Sequence, residues 1–217
     1  MNASNDDMKP IEKPQIVFVH GGEVFADRKD VLAYLRNGRE LRNPVWTPEP
    51  KPHWREDIAR QFFDRAEIFI PEMPNKMDSR YTEWEAWFDR YVPLFRDGVI
   101  LVGSSLGGMF LAKYLSTRIL PVKVRLLVLI AAPFDDESDY TLGDFRLPGN
   151  LDGIARQAGQ ILLCYSKDDP VVPFSELEKY SHALSGAEAI VVGDYGHFAV
   201  ASFPELVEKL EAVISEG

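Results

Sequence analysis

Short apolar runs alternate along the chain with longer amphipathic segments. The runs read QIVFV, EIFI, VILV, RLLVLIAA, QILLCY and AIVV, and the segments between them include WREDIARQFFDR, WEAWFDRY and MFLAKYLSTRI. Short runs rich in β-branched residues are typical of buried strands, and apolar residues spaced three or four apart are typical of helices. The alternation predicts an α/β fold: a three-layer α/β/α sandwich around a mostly parallel sheet of about six strands.

Three of the predicted helices begin with a capping-box pattern, a hydroxyl residue followed three positions later by glutamate. The pairs are Thr82 with Glu85, Ser175 with Glu178, and Ser202 with Glu205. In such a box the two side chains satisfy each other's backbone N–H groups, so each pair predicts where a helix begins.

The length and the polar segments predict the domain organisation. A chain of 217 residues suits one sizeable core, so we expect a single domain over residues 14–217. Residues 1–13 are polar and lack the basic and apolar regions of a signal peptide, and they predict a disordered tail. From about residue 36 to 54 the Pro-rich segment RNGRELRNPVWTPEPKPHW breaks the alternation and predicts a surface loop or partial flap.

Charge and composition argue against several classes of partner. A formal net charge of −10, with no Lys/Arg cluster, disfavours binding to nucleic acid or to anionic membranes. The single cysteine, Cys164, cannot form an internal disulfide, and the longest apolar run is too short to span a bilayer, so we expect a cytoplasmic protein. The sequence contains no P-loop, Rossmann glycine signature or metal-ligand cluster, and we expect no cofactor and no metal.

The segment VILVGSSLGGMF points to a nucleophile. Gly103-Ser104-Ser105-Leu106-Gly107 has the form G-x-S-x-G and lies where a predicted strand meets a predicted helix. A serine on so sharp a turn needs small neighbours two residues before and after it, which the glycines provide. The spacing selects Ser105 rather than Ser104 as the nucleophile, the alternative being a plain tight turn.

A serine nucleophile needs a base, and the chain has four histidines. His182 lies in an amphipathic helix and His53 in the Pro-rich segment, where surface or loop roles are expected. His20 follows the first strand and precedes Gly21-Gly22, so it either faces the nucleophile or braces that turn. His197 follows a late strand and a glycine, as the order Ser, Asp, His requires, and is our candidate for the base.

The acid that orients the base is expected at a strand end between the serine and the histidine. After QILLCY the chain reads SKDDPVVP, so Asp168 and Asp169 compete. A carboxylate that fixes an imidazole must be buried against its N–H, and a following proline helps to hold the turn, which favours Asp169. Asp135 and Asp136 are weaker alternatives.

From about residue 14 to the C-terminus the sequence resembles the α/β-hydrolases, and more narrowly the small, lidless serine hydrolases related to the retinoblastoma-binding-protein hydrolase. The motifs that carry the resemblance are GSSLG at 103–107, SKDDPVVP at 166–173 and YGHF at 195–198. The resemblance implies that Ser105, Asp169 and His197 are the catalytic triad. It also implies that the backbone N–H groups of Gly22 and Leu106 form the oxyanion hole.

The sequence departs from that family at two places. The insertion at about 36–54 changes the expected substrate entrance, and LLCYS stands where an L-x-C-x-E pocket-protein ligand would need glutamate. We therefore expect a serine hydrolase that cleaves small acyl esters and have no ground for expecting pocket-protein binding. The alternatives are a binding scaffold with a vestigial triad, or a thioesterase or amidase that uses the same residues.

Overall fold

Six strands form one sheet in the computed structural model, which describes residues 12–37, 53–136 and 141–216. The strands are β1 (Gln15–Val19), β2 (Glu67–Phe69), β3 (Val99–Ser104), β4 (Val124–Ile130), β5 (Ala158–Ser166) and β6 (Glu188–Val192). Their order across the sheet is β2-β1-β3-β4-β5-β6, and every neighbouring pair is parallel. The six predicted strands and the parallel sheet are confirmed.

Helices cover both faces of this sheet. They are α1 (Arg28–Asn37), α2 (Trp54–Phe62), α3 (Tyr81–Phe88), α4 (Leu106–Thr117), α5 (Asp152–Ala155), α6 (Glu176–Ala183) and α7 (Pro204–Ser215). One apolar cluster joins the sheet to α3, α4, α5 and α6, and a second joins its other face to α2 and α7. The predicted three-layer α/β/α sandwich is therefore confirmed.

The two apolar clusters follow from the alternation of side chains along each strand. In β3, Leu101 belongs to the first cluster and Ile100 and Val102 to the second. In β4, Leu127 and Val128 divide in the same way. Successive side chains of a strand point to opposite faces, so a strand covered on both faces needs an unbroken apolar run, which is the pattern seen in the sequence.

None of the three predicted capping boxes forms, and the predicted start of the helix is correct only for α6. The N-cap of α3 is Arg80, so Thr82 lies inside the helix, and the N-cap of α7 is Phe203. Ser175 is the N-cap of α6, but its side chain makes no capping hydrogen bond. At α3 the partner comes instead from a distant segment: the N–H of Tyr81 donates to Asp144 Oδ1 at 2.9 Å.

Parts of the predicted organisation lie outside the described residues. These parts are most of the tail at 1–13, of which residues 1–11 are not described, and residues 38–52 of the insertion at 36–54. The disordered tail, the surface loop and the single domain over 14–217 therefore stay predictions. None of the helices within the described ranges combines the length and the apolar character needed to cross a membrane.

Candidate active site

The segments that the sequence singles out meet at the carboxyl edge of the sheet. The His20–Gly22 turn follows β1, Ser105 follows β3, Asp169 follows β5 and His197 follows β6. Because parallel strands end at the same edge, residues far apart in sequence come together there, and open α/β sheets bind ligands at that edge. A cavity of about 330 Å³ opens at this point, and Gly22, Ser105 and His197 are among its lining residues.

Ser105 occupies a strained turn between β3 and α4. Its backbone angles are φ 54° and ψ −128°, a region that residues other than glycine rarely adopt. A hydrogen bond to the neighbouring strand holds the turn, because the N–H of Ser105 donates to the carbonyl of Ile130 in β4 at 2.8 Å. The strand–turn–helix context that gives the G-x-S-x-G motif its meaning is present, with Ser105 at the tip.

The glycines on either side of Ser105 permit close backbone packing. A Cβ at Gly103 would lie 2.5 Å from the carbonyl oxygen of Gly107. A Cβ at Gly107 would lie 2.4 Å from the carbonyl oxygens of both Val19 and His20. These neighbours are backbone atoms of α4 and of the end of β1, so a side chain at Gly103 would force β3 from α4, and one at Gly107 would force α4 from β1.

We expect Gly107→Ala to destabilise the fold by about 3 kcal/mol or more, because overpacking against backbone cannot be relieved by a rotamer change. Helix propensity alone would predict the opposite change in stability, because alanine in a helix is favoured over glycine by about 1 kcal/mol. Urea unfolding measures the effect. Gly149→Ala is the matched control, because a Cβ there meets nothing within 4 Å. A Gly107→Ala protein with the wild-type urea midpoint would contradict this account of the turn.

Asp169 and His197 form a partly buried pair, and His197 lines the same cavity as Ser105. Asp169 Oδ2 lies 2.8 Å from His197 Nδ1, and the two side chains are 1% and 21% exposed. The other carboxylate oxygen, Oδ1, accepts the N–H groups of Val171 and Val172 at 2.8 and 3.0 Å. A carboxylate can only accept, so Nδ1 of His197 carries the proton and Nε2 is left as the acceptor.

The neighbouring Asp168 has a different function in the structure. It is exposed, and its Oδ1 accepts the Ser166 hydroxyl and, at 2.9 Å, the N–H of Gly196. The bond from Ser166 is the main reason that the pKa of Asp168 lies below its usual value. Ser166 Oγ also accepts the N–H of Tyr195 at 3.1 Å, so Ser166 and Asp168 together fix the loop that carries His197. The sequence reasoning missed this loop anchor.

The weaker acid candidates lie elsewhere. Asp135 pairs with Lys179 at 2.7 Å, and Asp136 pairs with Arg146. Neither has a hydrogen bond or ion pair with His197 among the described residues.

Ser105 and His197 line the same cavity but are not hydrogen-bonded to each other in the described residues. In the structure the candidate base, His197, is hydrogen-bonded to Asp169, and Ser105 lines the cavity without a bond to His197 among the described residues. Catalytic hydrogen bonds are often long without substrate and tighten in the complex, so this geometry is compatible with a Ser–His pair.

Two residues with backbone N–H groups, one in the turn after β1 and one at the start of α4, also line the cavity. A Cβ at Gly21 would lie 3.0 Å from Ser105 Cβ and 3.4 Å from Ser105 Oγ, so this turn passes directly beside the serine. Within the described residues the N–H of Gly22 donates to no protein acceptor. Leu106 is the first residue of α4, where an N–H has no partner inside the helix. Both Gly22 and Leu106 line the cavity.

His20 braces this turn. Its Nε2 accepts the N–H of Met73 at 2.9 Å, and its Nδ1 lies 2.6 Å from the carbonyl oxygen of Gly21, to which it donates. Both ring nitrogens are therefore used in the neutral form. Burial is the main cause that lowers the pKa of His20, with smaller opposing contributions from its bond to Gly21 and from Glu72.

Lowering the pH should destabilise the protein through His20. Because its folded pKa is below the ordinary 6.5, the unfolded chain binds a proton first, and the stabilisation that is complete above about pH 6.5 is lost as the pH falls towards the lowered pKa. We expect the wild-type Tm to fall more steeply between pH 7 and pH 5 than that of His20→Gln. His182→Gln, on the exposed surface of α6, should keep the wild-type slope. Equal slopes for the wild type and His20→Gln would contradict this.

The other two histidines form no hydrogen bond with Asp169 among the described residues, although His53 lines the same cavity as His197. His53 is the N-cap of α2, where its Nδ1 accepts the N–H of Arg55 at 3.3 Å. His182 is exposed on α6. In the parts of the chain that the structure describes, no group of three or more His, Cys, Asp or Glu residues is placed to hold a metal ion.

Comparison with known proteins places this geometry in a family. The serine hydrolase family profile matches residues 42–215. The serine hydrolase RBBP9 of Rattus norvegicus is 25% identical over 146 residues, which cover 66% of this chain and 75% of the rat protein.

Solved structures show the same fold. The ydeN gene product of B. subtilis has a TM-score of 0.71 at 21% identity, covering 94% of this chain and 100% of its own. The esterase domain of a Rhodothermus marinus protein has a TM-score of 0.58 at 15% identity, covering 95% and 87%. The resemblance inferred from the motifs is confirmed, because the profile spans most of the chain and the neighbours share its α/β-hydrolase fold. The chain belongs to the serine hydrolase family, as a small α/β-hydrolase related to RBBP9.

Proposed function

We propose that this protein hydrolyses small carboxylic esters through an acyl-enzyme, with Ser105 as nucleophile, His197 as base and Asp169 as the orienting acid. The observation that carries the proposal is the 2.8 Å contact between His197 Nδ1 and Asp169 Oδ2, because His197 and Ser105 line the same cavity. Hydrolysis itself is the chemistry of the family to which the chain belongs.

The reaction proceeds in two halves. The hydroxyl of Ser105 attacks the ester carbonyl while His197 Nε2 takes its proton. Asp169 stabilises the imidazolium that forms. The tetrahedral intermediate collapses, His197 protonates the leaving alcohol, and the acyl group remains on Ser105. Water, activated by the same imidazole, then attacks the acyl-enzyme and releases the carboxylic acid.

The backbone N–H groups of Gly22 and Leu106 stabilise the negative oxygen of each tetrahedral intermediate. Both residues line the cavity, and donors fixed before the reaction need no reorganisation as the charge develops. The position of Leu106 at the start of α4 adds the favourable end of the helix dipole.

The covering of the site favours small substrates. Between β4 and β5 the described residues contain a single 3-10 turn (Gly143–Phe145) and the four-residue helix α5. The described residues of this connection, 131–136 and 141–157, provide no continuous apolar cap of the kind that lipases open at a lipid surface. A cavity of about 330 Å³ is at the small end of the range for ligand sites.

A series of p-nitrophenyl esters from acetate to palmitate tests the proposal. We expect kcat/KM to be highest from acetate to butyrate, with no increase when the substrate passes its micelle-forming concentration. Thioesters and anilides of the preferred acyl group, run beside the series, separate esterase from thioesterase or amidase activity. Preference for long chains with a jump at the micellar threshold, or turnover of thioesters or amides alone, would contradict the ester proposal.

The surroundings of the reaction are part of the same proposal. We expect a small-molecule acyl substrate, no cofactor, no nucleic-acid or membrane partner, and a cytoplasmic location. The net charge of −10 supports the absence of a nucleic-acid or anionic-membrane partner. The buried, unpaired Cys164 supports the last, because the fold uses no disulfide from this residue.

A further inference from the structure

Arg55 lies at the wall of the candidate active site, and its charge forms no ion pair with any residue that the structure describes. It is the second residue of α2 and lines the cavity shared by Ser105 and His197. Among the described residues its guanidinium makes no hydrogen bond and no ion pair; its backbone N–H donates to His53. Its nearest specific contact is the ring of Trp54, with Arg55 Cζ 5.8 Å from the ring centroid.

The position of Arg55 is unfavourable for the folded protein alone. Burial is the main cause that lowers the pKa of its guanidinium, which means that the charge has lost hydration. A cation in the first turn of a helix also opposes the helix dipole. The carboxylates of Glu56 and Glu72 act on Arg55 through space, but neither forms an ion pair with it. No hydrogen bond or ion pair of the guanidinium within the described residues therefore accounts for an arginine here.

The other charged side chains of the cavity wall are already engaged. Lys76 lies 3.6 Å from a carboxylate oxygen of Glu72. Glu23 accepts the hydroxyl of Tyr34 at 3.2 Å. Among the described residues, Arg55 is thus the charged side chain of the cavity wall that has neither a hydrogen bond nor an ion pair.

We propose that Arg55 binds a carboxylate of the substrate, so that this enzyme prefers esters which carry a free carboxylate near the scissile bond. The inference rests on the proposed esterase function and specifies its substrate class. A guanidinium presents paired N–H donors that match the two oxygens of a carboxylate, and such a bond is strongest where water is partly excluded. One guanidinium balances one carboxylate, whereas a phosphate dianion would keep a second, unpaired charge.

Two matched pairs of esters test the preference and show which side of the ester carries the charge. On the acyl side, mono-p-nitrophenyl glutarate is compared with p-nitrophenyl pentanoate, and on the leaving-group side 4-acetoxybenzoate is compared with phenyl acetate. Each kcat/KM is divided by the rate of hydroxide hydrolysis to remove intrinsic reactivity. We expect the anionic member of one pair to be preferred by the wild type by roughly tenfold or more.

Variants at Arg55 connect the preference to this side chain. Arg55→Gln should lower the anionic-to-neutral ratio by about 10- to 100-fold, mainly through KM, since the lost bond holds the bound ester. Arg55→Lys should restore part of the ratio, because it keeps the charge but not the paired donors. Arg60→Gln is the matched control: it removes the same charge from the exposed side of α2, where its Nε donates to the carbonyl of Glu56, and should keep the wild-type ratio.

The outcomes separate this inference from the proposed function. If a fluorophosphonate labels the protein and both ester pairs show no anionic preference, the role of Arg55 is wrong and the hydrolase proposal stands. An equal loss in Arg55→Gln and Arg60→Gln would also overturn it, since that pattern reports a general field and not a contact. If no ester is cleaved and no label is taken up, the proposed function fails, and the inference with it.

Discussion

Ser105→Ala is expected to lower kcat by on the order of 10⁴ to 10⁶ and to abolish stoichiometric fluorophosphonate labelling. The alanine removes the attacking oxygen, and the backbone N–H donors near the cavity provide only the residual catalysis that remains without a nucleophile. Hydrolysis of p-nitrophenyl butyrate gives kcat, and intact-protein mass spectrometry gives the labelled fraction. Unfolding in urea verifies that the variant is folded.

Ser104→Ala is the matched control for this experiment. Ser104 also lines the cavity, but it is the last residue of β3, paired in register with Ile130, and it lacks the strained backbone of Ser105. We expect Ser104→Ala to keep substantial activity and full labelling. Stoichiometric labelling of Ser105→Ala would show that the nucleophile is another residue.

The architecture could be predicted because strands that are buried on both faces of the sheet are continuous apolar runs in the sequence. Each apolar run became a strand, and the errors lie at the ends. β5 begins at Ala158, two residues before the predicted run, because Ala158 pairs with Val124 although its own side chain is small. Helix α1 was not predicted, since Val31 is its buried residue in the structure and one position produces no periodicity.

Interactions between distant segments could not be predicted in the same way. The capping boxes failed because sequence patterns report only local partners, whereas the N–H of Tyr81 is satisfied by Asp144, 63 positions away. For the same reason the anchoring of Gly196 by Asp168 was invisible, and Asp168 read only as half of an ambiguous pair. Arg55 was unremarkable in the sequence, because its significance depends on which charges are near it in space.

The candidate site could be predicted in part, because it combines a local motif with a contact between distant segments. A motif with strand and helix flanks could place Ser105 at a turn, since steric demands on its neighbours are local. The choice between Asp168 and Asp169 rested on which carboxylate would be buried against an imidazole. The contact in the structure is made by Asp169, whose side chain is 1% exposed.

Asp169→Asn is expected to lower kcat by roughly 10³ to 10⁴. The hydrogen bonds of the Asp169 carboxylate explain why the loss in kcat should be large. The N–H groups of Val171 and Val172 both donate to Oδ1, so an asparagine must place its carbonyl oxygen there and turn its NH₂ group towards His197. His197 Nδ1 then has to accept, the ring proton moves to Nε2, and Nε2 can no longer act as the base that the proposed mechanism requires.

Asp168→Asn provides the comparison that makes this result specific. Asp168 uses one oxygen, Oδ1, to accept both the Ser166 hydroxyl and the N–H of Gly196, and the carbonyl oxygen of an asparagine can accept both as well. The loop that carries His197 should therefore stay in place, and kcat should change by no more than about tenfold, because only an exposed charge is lost. Steady-state hydrolysis of p-nitrophenyl butyrate by both variants, with Tm measured for each, decides between them. A larger loss in Asp168→Asn than in Asp169→Asn would transfer the orienting role to Asp168, and equal small losses would show that neither carboxylate sets the tautomer of His197.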